Sequence, residues 1–390
     1  MTKTRNTAIK AYTKKNGEKC YMFKVYVGTD PLTAKETYTT RRGFKTKKEA
    51  NLALSELKLQ ISKREFRKQH VEKYSDIYNL WIIQYEKTVE ESTFVKTSGI
   101  FRNHILPVLG DYKIDKMNVE VCQKHVDQWA DKLKKFRTVK SYASKVIDFA
   151  IKRGYINTNP FKLVEMPKIL KKINIEDEEE HENFYTKEQL NEFLRCMEQE
   201  SNFKAFVLFQ LLAYSGMRKG EALALTWRDI NFSTNEIRIN KAIARGKNNA
   251  LYVKTTKTSI ARTIKMDQRT MAILKKWKKQ QREDYLTLGF NTSKPIQLVF
   301  SNEANEFLQP TKTRKWLEHV LTKYNLPKIT THGFRHTHTS LLFEVGGISI
   351  KQIQDRLGHS DVQTTLNIYA HVSENAKDEA INKLENFMRL

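Results

Sequence analysis

The chain has 390 residues, with 69 Lys and Arg against 44 Asp and Glu, and its formal net charge is +25. This length indicates two or three domains at about 150 residues each. So large a positive excess indicates a polyanionic partner, most often nucleic acid. A hydrophobic content of 39% excludes a wholly disordered basic tail.

The residue pattern argues against several other classes of protein. The most apolar run, residues 205–213, is about half of a membrane span, and the first ten residues lack the apolar segment of a signal peptide. No G-x-x-x-x-G-K-S/T motif for a nucleotide-binding P-loop occurs. The cysteines, odd in number and scattered, favour reduced thiols in a cytoplasm over a disulfide framework: Cys20, Cys122 and Cys196.

Residues 1–68 predict a small module of strands and one helix. Period-two alternation over 20–28 indicates a strand with one basic, aromatic face, and the Thr- and Tyr-rich segment 36–42 indicates a second strand that Gly43 ends. The motif Thr46-Lys-Lys-Glu49 then has the pattern of a capping box, and apolar residues follow it at helical spacing.

This module is the first candidate DNA-binding surface. It carries 18 Lys and Arg against 6 Asp and Glu, which is nearly half of the charge excess of the whole chain. A solvated basic face is one interpretation, and a three-stranded sheet presented to a DNA groove is the other. On the second interpretation, the candidate DNA contacts are Lys24, Tyr26, Arg41 and Arg42.

Residues 69–170 show the apolar spacing of helices, and their aromatic stripe is typical of a core. The pattern predicts a four-helix unit, with helices over 74–86, 92–106, 119–133 and 138–152. Breaks are expected at Pro107 with Gly110, at Phe136 with Arg137 and over 154–160.

An acidic linker is predicted over 171–183, because the run EDEEEHE has no apolar positions to bury. Residues 184–390 then form the largest predicted domain. Its expected elements are a helix from Thr186, an apolar helix over 203–214, a short sheet with hairpins over 236–266 and helices from 271 onward.

Four motifs of this third domain carry candidate catalytic side chains. The first is SGMRKGEALAL, directly after the apolar helix, where Gly216 permits a turn and Arg218 is expected to project from the start of the next helix. The second is His332-Gly-Phe-Arg335, whose spacing places His332 and Arg335 on one helical face. The third and fourth are RLGHS, with His359, and TTLNIYAHV, with Tyr369.

A zinc site is an alternative use of the second motif, because His332, His336 and His338 are close in sequence. Gly333, however, stands where the H-E-x-x-H pattern needs its glutamate. Phosphodiester chemistry fits the four motifs better. Guanidinium groups bind phosphate oxygens and offset the charge of a pentavalent transition state. Histidines donate hydrogen bonds or move protons, and a tyrosine hydroxyl can attack phosphorus.

These four motifs resemble those of the tyrosine recombinases, specifically the integrases of phages and integrative mobile elements. The order Arg, Lys, His-x-x-Arg, His, Tyr and the ten-residue step from His359 to Tyr369 are similar to the family pattern. The resemblance covers essentially the whole chain. It implies a multidomain, mainly α fold with small β-sheets: an arm-binding sheet plus helix, a SAM-like four-helix core-binding domain and a mixed α/β catalytic domain over 184–390.

The resemblance also implies residue roles. Tyr369 is the nucleophile that forms a 3′-phosphotyrosyl link, Arg218, Arg335 and His359 hold the phosphate, and His332 acts as base or hydrogen-bond donor. A hairpin lysine protonates the leaving 5′-oxygen, and we favour Lys257 over Lys254 because Lys257-Thr-Ser followed by Ala-Arg-Thr-Ile aligns better with the family hairpin. Glu221 either orients an active-site arginine or histidine or forms a surface i, i+3 pair with Arg218.

The partners that the resemblance implies are duplex DNA at core and arm attachment sites and three further copies of the chain, in a tetramer on a Holliday junction. The tail 374–390 is expected to dock on a neighbouring protomer, although packing on its own domain is the alternative. An excisionase and a host DNA-bending protein are possible partners. No cofactor, metal or membrane is expected, and the location is the bacterial cytoplasm, on the nucleoid.

Two other functions fit parts of the sequence. A type IB topoisomerase uses similar chemistry, but the arm-like module and the spacing from LGHS to Tyr369 favour recombination. A non-catalytic, sequence-specific DNA-binding regulator would need only the basic surfaces, and it predicts that Tyr369 is dispensable.

Overall fold

The computed structural model of the protein describes residues 9–14, 17–29, 36–62, 73–168, 183–256 and 261–359, and the isolated positions 363, 366 and 388. Contacts divide the chain into two compact units, one formed by residues 1–89 with 97–169 and the other by 90–96 with 170–390. Except for residue 183, the predicted acidic linker lies outside the described residues.

The N-terminal module is a three-stranded antiparallel sheet of order β1-β2-β3 followed by one helix, as predicted. The elements are β1 (Lys10–Thr13), β2 (Lys19–Thr29), β3 (Glu36–Phe44) and α1 (Lys47–Ser62). The apolar side of α1 packs on the sheet, because side chains of both are buried together: Phe23, Val25, Ala50, Leu54 and Leu57. The Thr46–Glu49 capping box is confirmed, since the Glu49 N–H donates to Thr46 Oγ1 at 3.1 Å.

Gly43 does not end β3, so that prediction is wrong. Gly43 lies inside the strand at φ +94°, and the neighbouring pairs are Tyr21 with Phe44 and Met22 with Arg42. Two residues of β3 therefore span a step that β2 makes with one, which is a bulge. Glycine adopts the positive φ of a bulge at little cost, so the strand continues through it.

The helical segment 73–168 contains α2 (Tyr74–Glu86), α3 (Glu91–Ile100), α4 (Leu106–Leu109), α5 (Val119–Lys132) and α6 (Phe136–Lys152). Its core is aromatic, and Phe101 packs on Tyr78 and Trp81 at ring distances of 4.5 and 5.2 Å.

The predicted break at Gly110 is confirmed, since α4 ends there, whereas those at Pro107 and at Phe136 with Arg137 are misplaced. A π-helical turn over Phe101–Ile105 joins α3 to α4, and Pro107 lies in the first turn of α4. The π-helical turn directly before Pro107 shifts the hydrogen-bond pattern, with the Leu106 N–H donating to the Phe101 carbonyl, and so accommodates the missing N–H of proline. Helix α6 already begins at Phe136, so the break precedes Phe136 and Arg137.

The second unit is mixed α/β. Its helices are α7 (Lys187–Gln199), α8 (Phe203–Ser215), α9 (Lys219–Ala224), α10 (Gln268–Thr287), α11 (Pro310–Lys323), α12 (Gly333–Val345) and α13 (Ile350–Leu357). Strands β4 (Ile230–Asn231), β5 (Glu236–Ile239) and β8 (Arg262–Lys265) form one antiparallel sheet, and β6 (Lys241–Arg245) pairs with β7 (Leu251–Thr255). Helix α8 is central and packs against α7, α10 and α12.

The predicted fold class, mainly helical with small antiparallel sheets, is confirmed. All three cysteines are free and buried, in agreement with reduced thiols. Among the helices of the described ranges, none is long and apolar enough to cross a membrane.

Candidate functional site

The turn between α8 and α9 presents Arg218. Helix α8 ends at Gly216, which has φ +63°, and a Cβ at this position would lie 2.5 Å from the ring of His338 and 2.8 Å from Leu357. Arg218 then occupies the N-cap position of α9, where its backbone N–H donates to Glu221 Oε2 at 2.9 Å. The predicted turn at Gly216 and the projection of Arg218 from the start of the next helix are both present.

Glu221 is 1% exposed, so it does not form a surface pair. Its Oε1 accepts from Arg218 Nη1 at 3.0 Å, and its carboxylate accepts both Nη groups of Arg262, the shorter bond being 2.7 Å. Burial raises the pKa of Glu221, but the hydrogen bonds and charges of Arg262 and Arg218 outweigh it and the net pKa is lowered. Glu221 is therefore a buried carboxylate that bridges two arginines.

Arg335 lies in the first turn of α12 and is 2% exposed. Its Nη1 donates to the carbonyl of Gly216 and its Nη2 to that of Leu357, both at 2.8 Å. Burial, with the charge of Arg218, lowers the pKa of Arg335 to about 9, so the guanidinium stays charged at neutral pH. Two distant chain segments thus meet on this one side chain.

The two candidate histidines are held in the same positive surroundings. Partial desolvation of the ring, with His336 and the charges of Arg335 and Arg218, lowers the pKa of His332 to about 4, although the residue as a whole is exposed. Burial, followed by the charges of Arg335, Arg218 and Arg262, lowers the pKa of His359 to about 3. Both imidazoles are neutral at pH 7, and each can donate one hydrogen bond.

The structure therefore brings together Arg218, Glu221, His332, Arg335 and His359, which come from three motifs of the sequence. Lys257 and Tyr369 lie outside the described residues. Lys254 lies on β7, opposite Ala242 of β6. The choice of Lys257 over Lys254 and the role of Tyr369 stay predictions.

Two residues near this cluster were missed by sequence reasoning, Arg262 on β8 and Arg356 on α13. His338, which the sequence offered only as an alternative zinc ligand, is buried and pairs with the half-buried Arg356. His338 donates from Nδ1 to the carbonyl of Ala213 at 2.9 Å and accepts at Nε2 from Arg356 Nε at 3.0 Å. Both ring nitrogens are thus committed to the protein, which disfavours His338 as a zinc ligand. The sequence named His338 for zinc, and no local pattern indicates its pairing with Arg356.

The N-terminal sheet separates the four predicted DNA contacts onto two faces. Strand pairing places Lys24 and Tyr26 on one face together with Arg42, and Lys24 Nζ lies 4.8 Å from the ring of Tyr38. Arg41 pairs with Phe23, so its Cβ points to the face that α1 covers. The basic, aromatic face is present, and Arg41 does not share it.

Three successive stretches of the chain match known families. Residues 9–61 match the Arm DNA-binding domain, residues 73–130 match the Phage integrase, N-terminal SAM-like domain, and residues 183–376 match the Phage integrase family. The matched stretches together reach from the N-terminal sheet to beyond Tyr369.

Two curated relatives are similar over much of the chain. The Tyrosine recombinase XerC-like protein of Caldanaerobacter subterraneus subsp. tengcongensis is 28% identical over 394 residues, which cover 95% of this chain and 97% of the relative. The Integrase of Staphylococcus phage L54a is 34% identical over 265 residues, which cover 63% of this chain and 72% of the relative.

Two solved structures share the fold. The Tn1549 transposon integrase in complex with circular intermediate DNA has a TM-score of 0.64 at 21% identity, covering 80% of this chain and 99% of that one. A lambda integrase tetramer bound to a Holliday junction has a TM-score of 0.54 at 15% identity, covering 92% and 94%.

The matched families, the identity to the phage integrase and the shared fold agree with one another and with the motifs around Arg218, Arg335 and His359. They favour recombination over a non-catalytic regulator or a topoisomerase. The chain belongs to the phage integrase family of tyrosine recombinases, and it is a site-specific DNA recombinase that cleaves and rejoins DNA strands.

Proposed function

We propose that this recombinase integrates and excises a mobile element or prophage, with Tyr369 as its nucleophile and Arg218, Arg335 and His359 as its phosphate-binding group. The observation that carries the proposal is the cluster that Arg218, Arg335, His332 and His359 form, in which the buried carboxylate of Glu221 holds Arg218. Such a cluster supplies positive charge and neutral hydrogen-bond donors, both of which stabilise a pentavalent phosphate.

The proposed cleavage step exchanges one phosphate ester bond for another. The Tyr369 oxygen attacks the scissile phosphorus, a phosphorus–oxygen bond to Tyr369 forms, and the bond to the 5′-oxygen breaks. Lys257 gives its proton to the leaving 5′-oxygen, and His332 takes the proton of the tyrosine or donates a hydrogen bond to the phosphate. The 5′-hydroxyl of a partner duplex then attacks the 3′-phosphotyrosyl link and releases Tyr369. The bond energy is kept, and two such exchanges pass through a Holliday junction.

The low pKa values of the histidines support these roles. An imidazole whose pKa is about 3 or 4 is neutral at pH 7 and a weak base, which favours His332 and His359 as neutral hydrogen-bond donors to the phosphate. Arg218 keeps a quarter of its side chain exposed, which leaves part of its guanidinium accessible to a phosphate. The scissile phosphate would itself raise both histidine pKa values, since it adds negative charge beside them.

We propose three DNA-handling parts with the boundaries expected from the sequence: an arm-binding domain over 1–68, a core-binding domain over 69–170 and, after the linker 171–183, a catalytic domain over 184–390. The family matches at 9–61, 73–130 and 183–376 support this division. In the arm-binding domain, the face with Lys24, Tyr26 and Arg42 would contact DNA, whereas Arg41 would do so only past the sheet edge. Two DNA sites on one protein make its binding bivalent.

The proposed assembly is a tetramer on recombining sites, with the tail 374–390 docked on the next protomer. The lambda integrase tetramer bound to a Holliday junction supports the tetramer. An excisionase and a host DNA-bending protein are proposed as further partners, and the bacterial nucleoid as the place of action.

The test replaces the nucleophile alone. A nicked suicide duplex is made from the attachment site, which footprinting locates on the DNA flanking the gene. Wild-type protein is expected to form a covalent adduct on it, and Tyr369→Phe is expected to form none while binding with nearly unchanged affinity. Tyr324→Phe is the matched control, because the Tyr324 hydroxyl only donates to Glu200 on the surface of α7 and α11.

An adduct that persists in Tyr369→Phe would refute the choice of nucleophile, and a wild-type protein that forms no adduct on its own site would refute the proposed chemistry. Transfer of a cleaved end to a second duplex, rather than relaxation of a supercoil alone, separates recombination from a topoisomerase.

A further inference from the structure

Three consecutive backbone carbonyls at the end of α13 each accept a hydrogen bond from a different arginine. Arg262 Nε donates to the carbonyl of Arg356 at 2.9 Å, Arg335 Nη2 to that of Leu357 at 2.8 Å, and Arg218 Nη2 to that of Gly358 at 3.4 Å. The last carbonyls of a helix lack intrahelical partners and carry the negative end of its dipole, so guanidinium groups are favourable there. His359 follows this point directly.

Arg262 is the member of this set that has no role in the proposed chemistry. It comes from β8 and contacts both the α13 carbonyl and Glu221, at 2.7 and 3.3 Å to the two carboxylate oxygens. Its Nε and both Nη groups therefore have acceptors inside the protein, and its side chain is 9% exposed. This committed guanidinium is poorly placed to bind DNA phosphate itself.

The backbone of α13 is shaped to accept Arg262. Gly358 has φ +67°, and a Cβ there would lie 3.0 Å from Nη1 and 3.2 Å from Cδ of Arg262. The Arg262 side chain thus lies against the glycine that precedes His359, and a larger side chain at Gly358 would crowd it. Arg262 is in close contact with Gly358 on one side and with Glu221 on the other, so a shift of Arg262 moves the His359 turn or the Glu221 carboxylate.

We propose that Arg262 is a positioning residue of the catalytic cluster, which holds Glu221, and through it Arg218, in fixed geometry relative to the turn that carries His359. The inference rests on the proposed function of Arg218 and His359. Arg262 binds both carboxylate oxygens of Glu221, and the Arg218 guanidinium shares Oε1 with it, so the direction of the Arg218 guanidinium depends on Arg262. Because β8 follows the segment that contains Lys257, the same contact ties that strand to the phosphate-binding group.

The test is a double-mutant cycle on single-turnover cleavage of the suicide duplex at saturating protein. Arg262→Ala is expected to slow adduct formation about 10- to 100-fold, the range typical of lost orienting partners, and to change equilibrium DNA affinity less than about threefold. Glu221→Gln is expected to slow the same step. The double variant is expected to be no slower than the slower single variant, because both substitutions break one connection.

Arg262→Lys keeps the charge but has one nitrogen, which cannot reach Glu221 and the Arg356 carbonyl together. It is expected to cleave at a rate between those of Arg262→Ala and wild type, and it serves as the working variant if Arg262→Ala does not fold. Arg314→Ala is the control for loss of an arginine, since Arg314 is exposed and pairs only along α11 with Glu318; it is expected to cleave like wild type.

Wild-type cleavage rates in Arg262→Ala and Arg262→Lys would overturn the inference and leave the proposed function intact. Multiplicative effects of Arg262→Ala and Glu221→Gln would also overturn it, because independent roles multiply. A loss of DNA affinity as large as the loss of cleavage rate would assign Arg262 to DNA binding instead. Absence of an adduct with wild-type protein refutes the proposed function rather than this inference.

Discussion

At the residue scale, the cluster around Arg218 is held together because positive groups pack close to a single buried carboxylate, Glu221. Arg218 and Arg262 share Glu221, and Arg335 binds two carbonyls nearby. The motifs of the sequence identified Arg218, Arg335 and His359, because each stands in a recognisable local pattern. Arg262 stands 41 positions after Glu221 in an ordinary strand, and no local pattern indicates that the two meet.

The buried histidine His338 predicts a loss of stability in acid. Burial, with the charge of Arg356, lowers its pKa to about 3, below the ordinary 6.5. A lowered folded-state pKa means that the unfolded chain binds the proton more readily, so stability is full above about pH 6.5 and falls as the pH drops from there towards 3, by up to about 1.4 kcal/mol per pH unit.

The measurement is the melting temperature at pH 7.5 and 5.5. His338→Asn retains a donor for the Ala213 carbonyl but does not titrate. Its melting temperature is expected to be lower than that of wild type at pH 7.5, and to fall less than that of wild type between pH 7.5 and 5.5. Equal losses in the two proteins would show that His338 does not cause the acid sensitivity.

At the element scale, the ends of two helices position most of the residues of the site. The end of α8 turns at Gly216, the end of α13 turns at Gly358, and both glycines have positive φ. The turns bring α9 and the His359 segment to Arg335, which bonds to the carbonyls of Gly216 and Leu357. The helices themselves were predicted closely, as α2 over 74–86 shows, because their caps and apolar spacing are local signals.

Gly216→Ala is expected to destabilise the protein by about 2–4 kcal/mol, from left-handed strain together with overpacking against His338 and Leu357. Gly289→Ala is the matched control, since Gly289 also has positive φ, +83°, but nothing within 4 Å of a Cβ, and it is expected to cost only about 1–2 kcal/mol. Chemical denaturation measures both. Equal losses would mean that the contact at Gly216 contributes nothing beyond backbone strain.

At the scale of the whole molecule, charge is unevenly distributed along the chain. Nearly half of the net excess belongs to residues 1–68, and the sheet within them presents Lys24 and Arg42 on one face. The proposed catalytic cluster contains fewer positive groups than this module, and burial and hydrogen bonds fix their positions. We therefore expect the basic module to contribute mainly to affinity for DNA and the proposed catalytic cluster to chemistry.

Deletion of residues 1–68 is expected to remove arm-site binding and to leave core-site cleavage. The affinity of the full chain should fall steeply with salt, with a log–log slope of about −0.9 per neutralised phosphate, and the deletion should flatten it. Binding titrations at several salt concentrations on arm-site and core-site duplexes measure both. An equal loss on the two duplexes would contradict a separate arm-binding domain.

Hydrophobic period, caps and motif spacing are local signals, so the sequence predicts an order of domains, most of the helices and the motifs with Arg218, Arg335 and His359. It misplaced the end of β3 at Gly43, since a bulge depends on the partner strand. The burial of Glu221, the departure of Arg41 from the basic face and the contact of Arg262 with the cluster are found only in the folded chain. Each of these depends on packing between residues distant in sequence, and burial and charge pairing arise only when those residues meet.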